Sequence, residues 1–205
     1  MSKITLLYAA ASPYARKALI IAHERGIADH IQLVDTLPIP TRPDARILAY
    51  NPSGKAPCAI LSDGQPLYDS RVISLYFDRI GGTGETVYPK DQSEFAVLTL
   101  EALGDSMLDA ALTCRYETHL RPENLRWQDW VDAQLAKIKA GLDDLEQRWL
   151  VLMKQGFHAG SIAVAAMLAY LDFRYADLAW RASHPALGTW FSEIENRPSM
   201  LATTA

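Results

Sequence analysis

Ser12 and its neighbours form the first segment of the sequence whose residue types and spacing are suited to chemistry. Ser12 precedes Pro13 and follows a short apolar run at residues 4–7, which is typical of a strand. Serine is a preferred helix N-cap and proline a preferred first helical residue, so a helix is predicted to begin here. A hydroxyl group at a helix N-terminus either caps the helix or stabilises an anion bound there. This segment alone leaves both roles open.

The triplet Lys55-Ala56-Pro57 places a proline directly before a strand-like run at residues 58–61. Proline has no backbone N–H, holds the preceding residue in an extended conformation and allows a cis peptide bond. Such a proline either starts an edge strand or makes a turn. The sequence by itself does not separate these two structural roles.

Asp69 and Ser70 form another polar pair, at the predicted start of a helix. The apolar residues that follow them recur at spacings of three and four, which predicts a helix with one buried face. Before them, Asp63-Gly64 is a strong signal for a hairpin between two short strands. Asp69 and Ser70 are therefore suited to capping a helix that follows a hairpin.

Several catalytic templates are absent from the sequence. Gly54-Lys55 lacks the surrounding glycine and Ser/Thr that a phosphate-binding loop requires. The five histidines form no HExxH pattern and neither Cys58 nor Cys114 belongs to a CxxC pair, so no metal site is predicted. There is no Gly-x-Ser-x-Gly elbow. Residues 12–15 hold no cysteine, which excludes dithiol redox chemistry at that helix start.

Composition and charge are those of an ordinary soluble protein. The 205 residues are 49% hydrophobic and 21% charged, and the net charge of −4 gives no reason to expect nucleic acid or an anionic membrane as a partner. The apolar stretch at residues 162–171 is about half as long as a membrane span. The N-terminal apolar run is too short for a secretory signal, and the two distant cysteines suggest reduced thiols. We therefore expect a cytoplasmic protein.

The order of predicted elements divides the chain into two domains. Domain 1–80 mixes strands and helices, residues 81–91 form a Gly- and Pro-rich linker, and domain 92–205 is all helical. The strands are predicted at residues 4–7, 31–34, 58–61 and 66–68, and the helices at 13–25, 70–80, 92–117, 127–153, 161–179 and 185–195, with one helical turn near residues 47–48.

In this order and spacing, the segments resemble the cytosolic glutathione S-transferase family over essentially the whole chain. The closest similarity is to bacterial serine-type members. The matching residues are 12–17, 51–57, 67–70, 87–91, 169–174 and 196–199. The resemblance implies a thioredoxin-like α/β N-terminal domain followed by an all-helical C-terminal domain. It also implies a homodimer, and a second-substrate pocket in the cleft between the domains.

The resemblance further implies a glutathione site made by the polar segments described above. The family's proline at the position of Pro57 is cis, which would let Ala56 offer its N–H and C=O to the cysteinyl backbone of glutathione, like an added strand. Asp69 would bind the ammonium group of the γ-glutamyl residue. Ser70 and the adjacent helix N–H groups would bind its carboxylate. Lys55 would meet the glycyl carboxylate.

Ser12 then becomes the predicted catalytic residue, because its hydroxyl would donate a hydrogen bond to the glutathione thiolate. Tyr8 is the rival donor, since some classes of the family use a tyrosine at the end of the first strand. The candidates for the wall of the second-substrate pocket share one face of the first C-terminal helix: Met107, Ala111, Cys114 and Arg115.

The implied activity is conjugation of glutathione to small electrophiles, as in detoxification. Glutathione is a co-substrate in this activity, and no other cofactor is implied. Two alternatives remain open from the sequence. One is a glutathione-dependent peroxidase or isomerase, and the other is a non-catalytic glutathione-binding partner protein.

One departure from the family concerns the central C-terminal helix. The family usually has Ser/Thr-x-x-Asp at the start of this helix, where the two side chains form a capping box. Here Ser161 is followed three residues later by Val164. The sequence therefore predicts that the reciprocal cap is lost, and it indicates no residue that compensates.

Overall fold

The computed structural model describes residues 3–204. Within it the chain forms two compact units. The first extends to Lys90 and also takes in the chain from Arg197 onward, and the second is Asp91–Asn196. The elements of the first unit are strands β1 (Ile4–Tyr8), β2 (Ile31–Asp35), β3 (Cys58–Ile60) and β4 (Pro66–Leu67), and helices α1 (Pro13–Glu24), α2 (Ala45–Leu48), α3 (Ser70–Ile80) and α10 (Pro198–Leu201).

The first unit is built on one mixed sheet with the strand order β2-β1-β3-β4. β1 and β2 are parallel and are connected by α1, whereas β3 is antiparallel to both β1 and β4. Gly64 has a φ of +87° in the turn between β3 and β4, a conformation that favours glycine. α1 packs against α3, and both helices bury apolar side chains such as Ile20 and Phe77. This arrangement confirms the predicted thioredoxin-like fold.

Two segments of the first unit differ from the predicted domain limits. Residues 81–87, expected in a linker, are bound to the unit by Arg25 and Asp78, whose hydrogen bonds reach Thr83, Gly84 and Val87. The C-terminal segment also joins this unit rather than the helical one. Its Arg197 and Ser199 side chains both donate hydrogen bonds to the Glu24 carboxylate at the end of α1.

The second unit confirms the predicted all-helical half, since every regular secondary-structure element within residues 91–196 is a helix. Its helices are α4 (Glu94–His119), α5 (Gln128–Asp144), α6 (Leu150–Met153), α7 (Ala159–Arg174), α8 (Trp180–Ser183) and α9 (Pro185–Ile194). α4 packs against α5 and α7, and α7 is almost entirely buried. Across residues 3–204, no helix combines the length and apolar character needed to cross a bilayer.

Two helices of the second unit differ from the periodic patterns in the sequence. The helix predicted over residues 127–153 contains a π-helical turn at Leu145–Trp149, between α5 and α6. The helix predicted over residues 161–179 ends at Arg174. Tyr175 leaves the helical conformation there, and its hydroxyl donates to the Ala111 carbonyl oxygen of α4 at 2.5 Å. This tertiary hydrogen bond, which no local pattern signals, accompanies the earlier end of α7.

The start of α7 corrects the prediction about its cap. The N-cap is His158, and its Nδ1 accepts a hydrogen bond from the Ser161 N–H at 3.2 Å. The Ser161 hydroxyl donates to the carbonyl oxygens of Gly156 and His158. The capping position is therefore three residues earlier than predicted, and Val164 is a buried residue inside the helix. Histidine is not among the preferred N-caps, which is why the sequence did not indicate it.

His158→Ala should lower the free energy of unfolding by about 1 kcal/mol near neutral pH, as expected for loss of an N-cap. The effect should depend on pH, because burial lowers the pKa of His158 in the folded protein. Its stabilisation is then complete above the unfolded pKa of about 6.5 and is lost as the pH falls through the folded value. Urea unfolding of wild type and variant at about pH 8 and about pH 5 measures both effects.

The matched variant is His158→Asn, which keeps a side-chain acceptor for Ser161 and cannot titrate. It should retain most of the stability and show a weaker loss on acidification. The control is His23→Ala, because His23 is an exposed histidine. This variant should change neither the free energy of unfolding nor its dependence on pH. A difference between wild type and His158→Ala that is the same at both pH values would contradict the proposed link to the neutral imidazole.

Candidate functional site

Three backbone segments meet at one edge of the sheet in the first unit. Leu7 of β1 is opposite Cys58 of β3, and Ala59 of β3 is opposite Leu67 of β4, with both pairs antiparallel. The residues that follow β1, precede β3 and follow β4 therefore lie at the same edge. This edge brings together all six residues predicted for the glutathione site: Ser12, Lys55, Ala56, Pro57, Asp69 and Ser70.

Ser12 is the N-cap of α1, as predicted. Its Oγ accepts a hydrogen bond from the Ala15 N–H at 3.3 Å, and its backbone N–H is held by the Ala9 carbonyl oxygen at 2.8 Å. The Ser12 side chain is half-buried, and within residues 3–204 its hydroxyl hydrogen has no acceptor. Ser12 can therefore cap the helix and donate a hydrogen bond to a bound group at the same time.

Tyr8, the rival donor, lies at the end of β1. Its carbonyl oxygen accepts hydrogen bonds from the Thr36 N–H at 2.7 Å and from the Thr36 hydroxyl at 2.6 Å. The Tyr8 side chain is half-buried, and its hydroxyl has no partner within the described part of the chain. Tyr8 differs from Ser12 in position, because it is a strand residue and only Ser12 stands at a helix N-terminus.

The segment before β3 offers an unpaired backbone. The Ala56–Pro57 peptide bond is cis, which agrees with the prediction made from the resemblance. In residues 3–204 neither the N–H nor the C=O of Ala56 has a hydrogen-bond partner, although Cys58 begins a paired strand two residues later. An extended ligand can pair with these two groups as an added strand does.

Asn51 positions this segment, a role that the sequence analysis did not assign. Its side chain is buried, and its Nδ2 donates to the Lys55 carbonyl oxygen at 2.9 Å. Its Oδ1 accepts hydrogen bonds from the Ser53 N–H at 3.0 Å and from the Ser53 hydroxyl at 2.7 Å. The Lys55 side chain projects from this fixed loop and is exposed. The signal was present in the sequence, since asparagine followed by proline and serine is typical of a side-chain-stabilised turn.

Asp69 and Ser70 begin α3 at the same edge. Asp69 is the N-cap, and its Oδ1 accepts a hydrogen bond from the Arg71 N–H at 3.0 Å. The Ser70 side chain is buried, and neither its hydroxyl nor its N–H has a partner within residues 3–204. These two donors at a helix N-terminus suit a carboxylate, and the exposed Asp69 carboxylate suits an ammonium group.

The electrostatic character of this edge comes from backbone dipoles as well as side chains. α1 and α3 pack against each other and both begin at this edge, so the positive N-terminal ends of two helix dipoles lie there. Cys58 lies beside the edge, but it is fully buried and burial raises the pKa of its thiol, so it is not a nucleophile. The described residues contain no group of side chains suited to hold a metal ion.

The predicted second-substrate residues lie in the second unit and differ in environment. Met107 contacts α5 near Gly141, and the Cys114 thiol donates to the Val131 carbonyl oxygen at 3.5 Å, so both pack against α5. Ala111 is also buried. Arg115 is half-buried, which leaves part of its side chain accessible.

The chain matches family models in both halves. Residues 11–80 match the model of the glutathione S-transferase N-terminal domain, and residues 128–193 match that of the C-terminal domain. The chain is also similar to the uncharacterized GST-like protein YibF of Escherichia coli (strain K12), with 30% identity over 94% of each chain.

Solved structures of relatives agree with these matches. A glutathione transferase family member from Pseudomonas fluorescens Pf-5, solved with bound glutathione, is 42% identical, covers 98% of each chain and has a TM-score of 0.95. The structure of a family member from the same organism with bound S-(propanoic acid)-glutathione is 40% identical, with 98% of this chain and 99% of that chain covered and a TM-score of 0.91. Sequence, domain order and fold therefore agree that this chain belongs to the glutathione S-transferase family.

Proposed function

We propose that this protein is a serine-type glutathione transferase that adds the glutathione thiolate to small electrophiles. The observation that supports this most directly is a set of polar groups at one sheet edge that have hydrogen-bonding capacity left unused within residues 3–204. These are the Ser12 hydroxyl, the Ala56 backbone and the Ser70 N–H and hydroxyl. A tripeptide thiol needs a hydrogen-bond donor for its thiolate, a partner for its backbone and a binding site for its carboxylate. The three segments offer one of each. The family members from Pseudomonas fluorescens Pf-5 support the ligand identity, because they were solved with glutathione or an S-substituted glutathione.

Each part of glutathione has a proposed partner. Ala56, before the cis Pro57, pairs with the cysteinyl backbone, while the start of α3 binds the γ-glutamyl end through Ser70 and Asp69. Lys55 binds the glycyl carboxylate. This division leaves the sulfur to Ser12, so that affinity for the peptide and activation of the thiol depend on different residues.

The thiolate is the chemically active form, and its stabilisation has a defined scale. An ordinary thiol with a pKa of about 8.5 is only about 3% ionised at pH 7. Lowering this pKa by about two units requires about 2.7 kcal/mol of preferential stabilisation. One hydrogen bond to a charged sulfur gives about 1.5–3 kcal/mol, and a helix N-terminus adds about 0.3–1 kcal/mol. Ser12 at the start of α1 supplies both.

Recognition of the electrophile is assigned to the helical unit, with Met107, Ala111, Cys114 and Arg115 as candidates. The protein is expected to work as a cytoplasmic homodimer that needs no cofactor besides glutathione as co-substrate. Light scattering at micromolar concentration measures the assembly, and a mass of 22.8 kDa would identify a monomer instead.

The proposed function is tested by a pH titration of the thiol of glutathione bound to the protein. The bound thiol should give ultraviolet thiolate absorbance that titrates about two pH units below that of free glutathione. Wild type should also conjugate glutathione to at least one member of a panel of chloronitrobenzenes, epoxides and unsaturated carbonyl compounds. Binding of glutathione with an unshifted thiol and no conjugation would contradict catalysis and favour a binding protein.

Asp69→Ala should weaken glutathione binding by about tenfold, because it removes the partner proposed for the ammonium group. In the glutathione that does bind, the pH midpoint of thiolate formation should stay near the wild-type value, since Asp69 does not contact the sulfur. Isothermal titration calorimetry measures the affinity. Asp63→Ala is the matched control, because Asp63 is an exposed aspartate in the hairpin of the same unit and should bind glutathione normally. Equal affinities for the two variants would contradict the assignment of Asp69.

A further inference from the structure

Arg174, the last residue of α7, has an unsatisfied polar atom. Its Nε is buried and has no hydrogen-bond partner within residues 3–204. Its guanidinium lies 3.7 Å from the centroid of the Phe173 ring. A buried N–H without a partner is costly, and native proteins usually satisfy such groups with water, an ion or a ligand.

A second arginine, Arg115, lies on α4, the helix that packs against α7. The Tyr175 hydroxyl donates to the Ala111 carbonyl oxygen, which fixes the end of α7 against α4 one turn before Arg115. The pKa of Arg174 is lowered by burial and, in addition, by the positive charge of Arg115. The two cations therefore repel each other at the meeting point of α4 and α7.

Within the described residues, no carboxylate forms an ion pair with either cation. Within residues 3–204 neither Arg115 nor Arg174 takes part in an ion pair, and the polar contact of Arg115 is with His119 Nε2, at 3.4 Å. Other arginines of the same unit do pair with acids. Arg181 binds Asp172 and Glu195, for example. Within the described residues, an acidic partner is thus missing beside the buried Nε of Arg174.

Tyr170 adds a hydroxyl group to this cluster. It lies on α7, one turn before Arg174, and is 6% exposed. Its Oη has no hydrogen-bond partner in the described part of the chain. Burial raises the pKa of Tyr170, while the charges of Arg115 and Arg174 lower it, so both cations lie within electrostatic reach of the hydroxyl. The hydroxyl stays protonated at neutral pH and can donate a hydrogen bond.

We propose that Arg115, Arg174 and Tyr170 form a subsite for a carboxylate carried by the electrophilic substrate. Guanidinium groups bind carboxylates through paired N–H donors, and a bound carboxylate would neutralise the two repelling cations. Tyr170 would donate a further hydrogen bond. The inference rests on the proposed function and specifies its second substrate as a small acid rather than a neutral electrophile.

The test reaction uses two electrophiles that differ only in the anionic group: 4-chloro-3-nitrobenzoate and 4-chloro-3-nitrobenzamide. In both, the glutathione sulfur forms a bond to the ring carbon that bears chlorine. The carbon–chlorine bond then breaks, and chloride leaves with its electron pair. The carboxylate and the amide remain unchanged. Any difference in rate therefore reports recognition of the anionic group after correction for the uncatalysed rates.

Arg174→Gln should lower kcat/KM for the benzoate by about tenfold or more and change kcat/KM for the benzamide by less than about twofold. Arg115→Gln should lower kcat/KM for the benzoate by about tenfold more than it lowers kcat/KM for the benzamide. Arg174→Lys should recover part of the loss, since it keeps the charge without the planar fork. Arg148→Gln is the control, because Arg148 is a mostly exposed arginine of the same unit, paired with Asp144. Circular dichroism melting checks that the variants are folded.

A binding measurement separates failure of the subsite from failure of the proposed function. Calorimetry compares S-(2-carboxyethyl)glutathione with its carboxamide analogue. Wild type should bind the acid more tightly, and Arg174→Gln should bind the two equally. If wild type binds glutathione and both analogues equally well, the subsite is wrong and the proposed function stands. If it binds none of them, the proposed function fails. Equal losses for benzoate and benzamide in Arg174→Gln would also overturn the subsite.

Discussion

Ser12→Ala should lower the rate of glutathione conjugation by about 10–100-fold, because it removes one hydrogen bond to the charged sulfur. The ultraviolet titration of bound glutathione should move towards that of the free thiol. Glutathione affinity should change little, since Ala56, Asp69 and Ser70 hold the peptide rather than the sulfur. Rate measurements and the thiolate titration on the same variant check both results.

The variant must be separated from a simple loss of stability, because Ser12 also caps α1. Loss of that cap should cost about 1 kcal/mol, which leaves most molecules folded if the protein has ordinary stability. Ser12→Thr keeps a hydroxyl and should retain both the cap and part of the rate. If Ser12→Ala leaves the conjugation rate and the thiolate titration unchanged while Tyr8→Phe abolishes the thiolate shift, Tyr8 is the donor and the assignment of Ser12 is wrong.

Local sequence signals were sufficient for most of the first unit. Ser12-Pro13 fixes the start of α1, and the residue pair Asp63-Gly64 marks the hairpin between β3 and β4. These signals work because a cap or a tight turn depends on the conformational preferences of one or two residues. The same is true of Asp69, which starts α3 as predicted. The segments that bear the candidate glutathione site are therefore the ones that a sequence describes best.

Features fixed by long-range contacts were missed. The end of α7 accompanies the hydrogen bond from Tyr175 to Ala111, and the chain from Arg197 onward joins the first unit through Glu24. The cap at His158 was missed for a different reason, because an imidazole acceptor is a rare substitute for serine or aspartate. None of these partners can be read from residue spacing.

The candidate site shows the same division between local and distant signals. The residues that would contact glutathione lie in short motifs. The motif at Asn51 signals a turn, but the hydrogen bond from its side chain to the Lys55 carbonyl oxygen is visible only in the structure. Arg115 was a sequence candidate because it lies on one face of α4. Its neighbour Arg174, on α7, was not a candidate, since nothing in the sequence brings the two helices together at that point.

Arg25 and Asp78 form the ion pair on which the largest loss of stability is expected. Arg25 Nε lies 3.0 Å from Asp78 Oδ1, and the side chains are only 10% and 5% exposed. The guanidinium also donates to the carbonyl oxygens of Thr83 and Gly84, each at 2.6 Å. The Asp78 carboxylate accepts hydrogen bonds from the Thr86 hydroxyl and the Val87 N–H. The pair therefore ties α1 and α3 to the segment that leads out of the first unit.

Asp78→Ala should lower the free energy of unfolding by about 3–5 kcal/mol, because it leaves the buried Arg25 cation without its counter-charge and the Val87 N–H without an acceptor. Urea unfolding measures the loss, and Arg148→Ala, which breaks a mostly exposed pair with Asp144, should cost far less. Arg25→Met combined with Asp78→Leu should be less destabilised than Asp78→Ala, since neither charge is then buried alone. If Asp78→Ala costs no more than Arg148→Ala, water reaches the pair and its burial does not determine the stability of this unit.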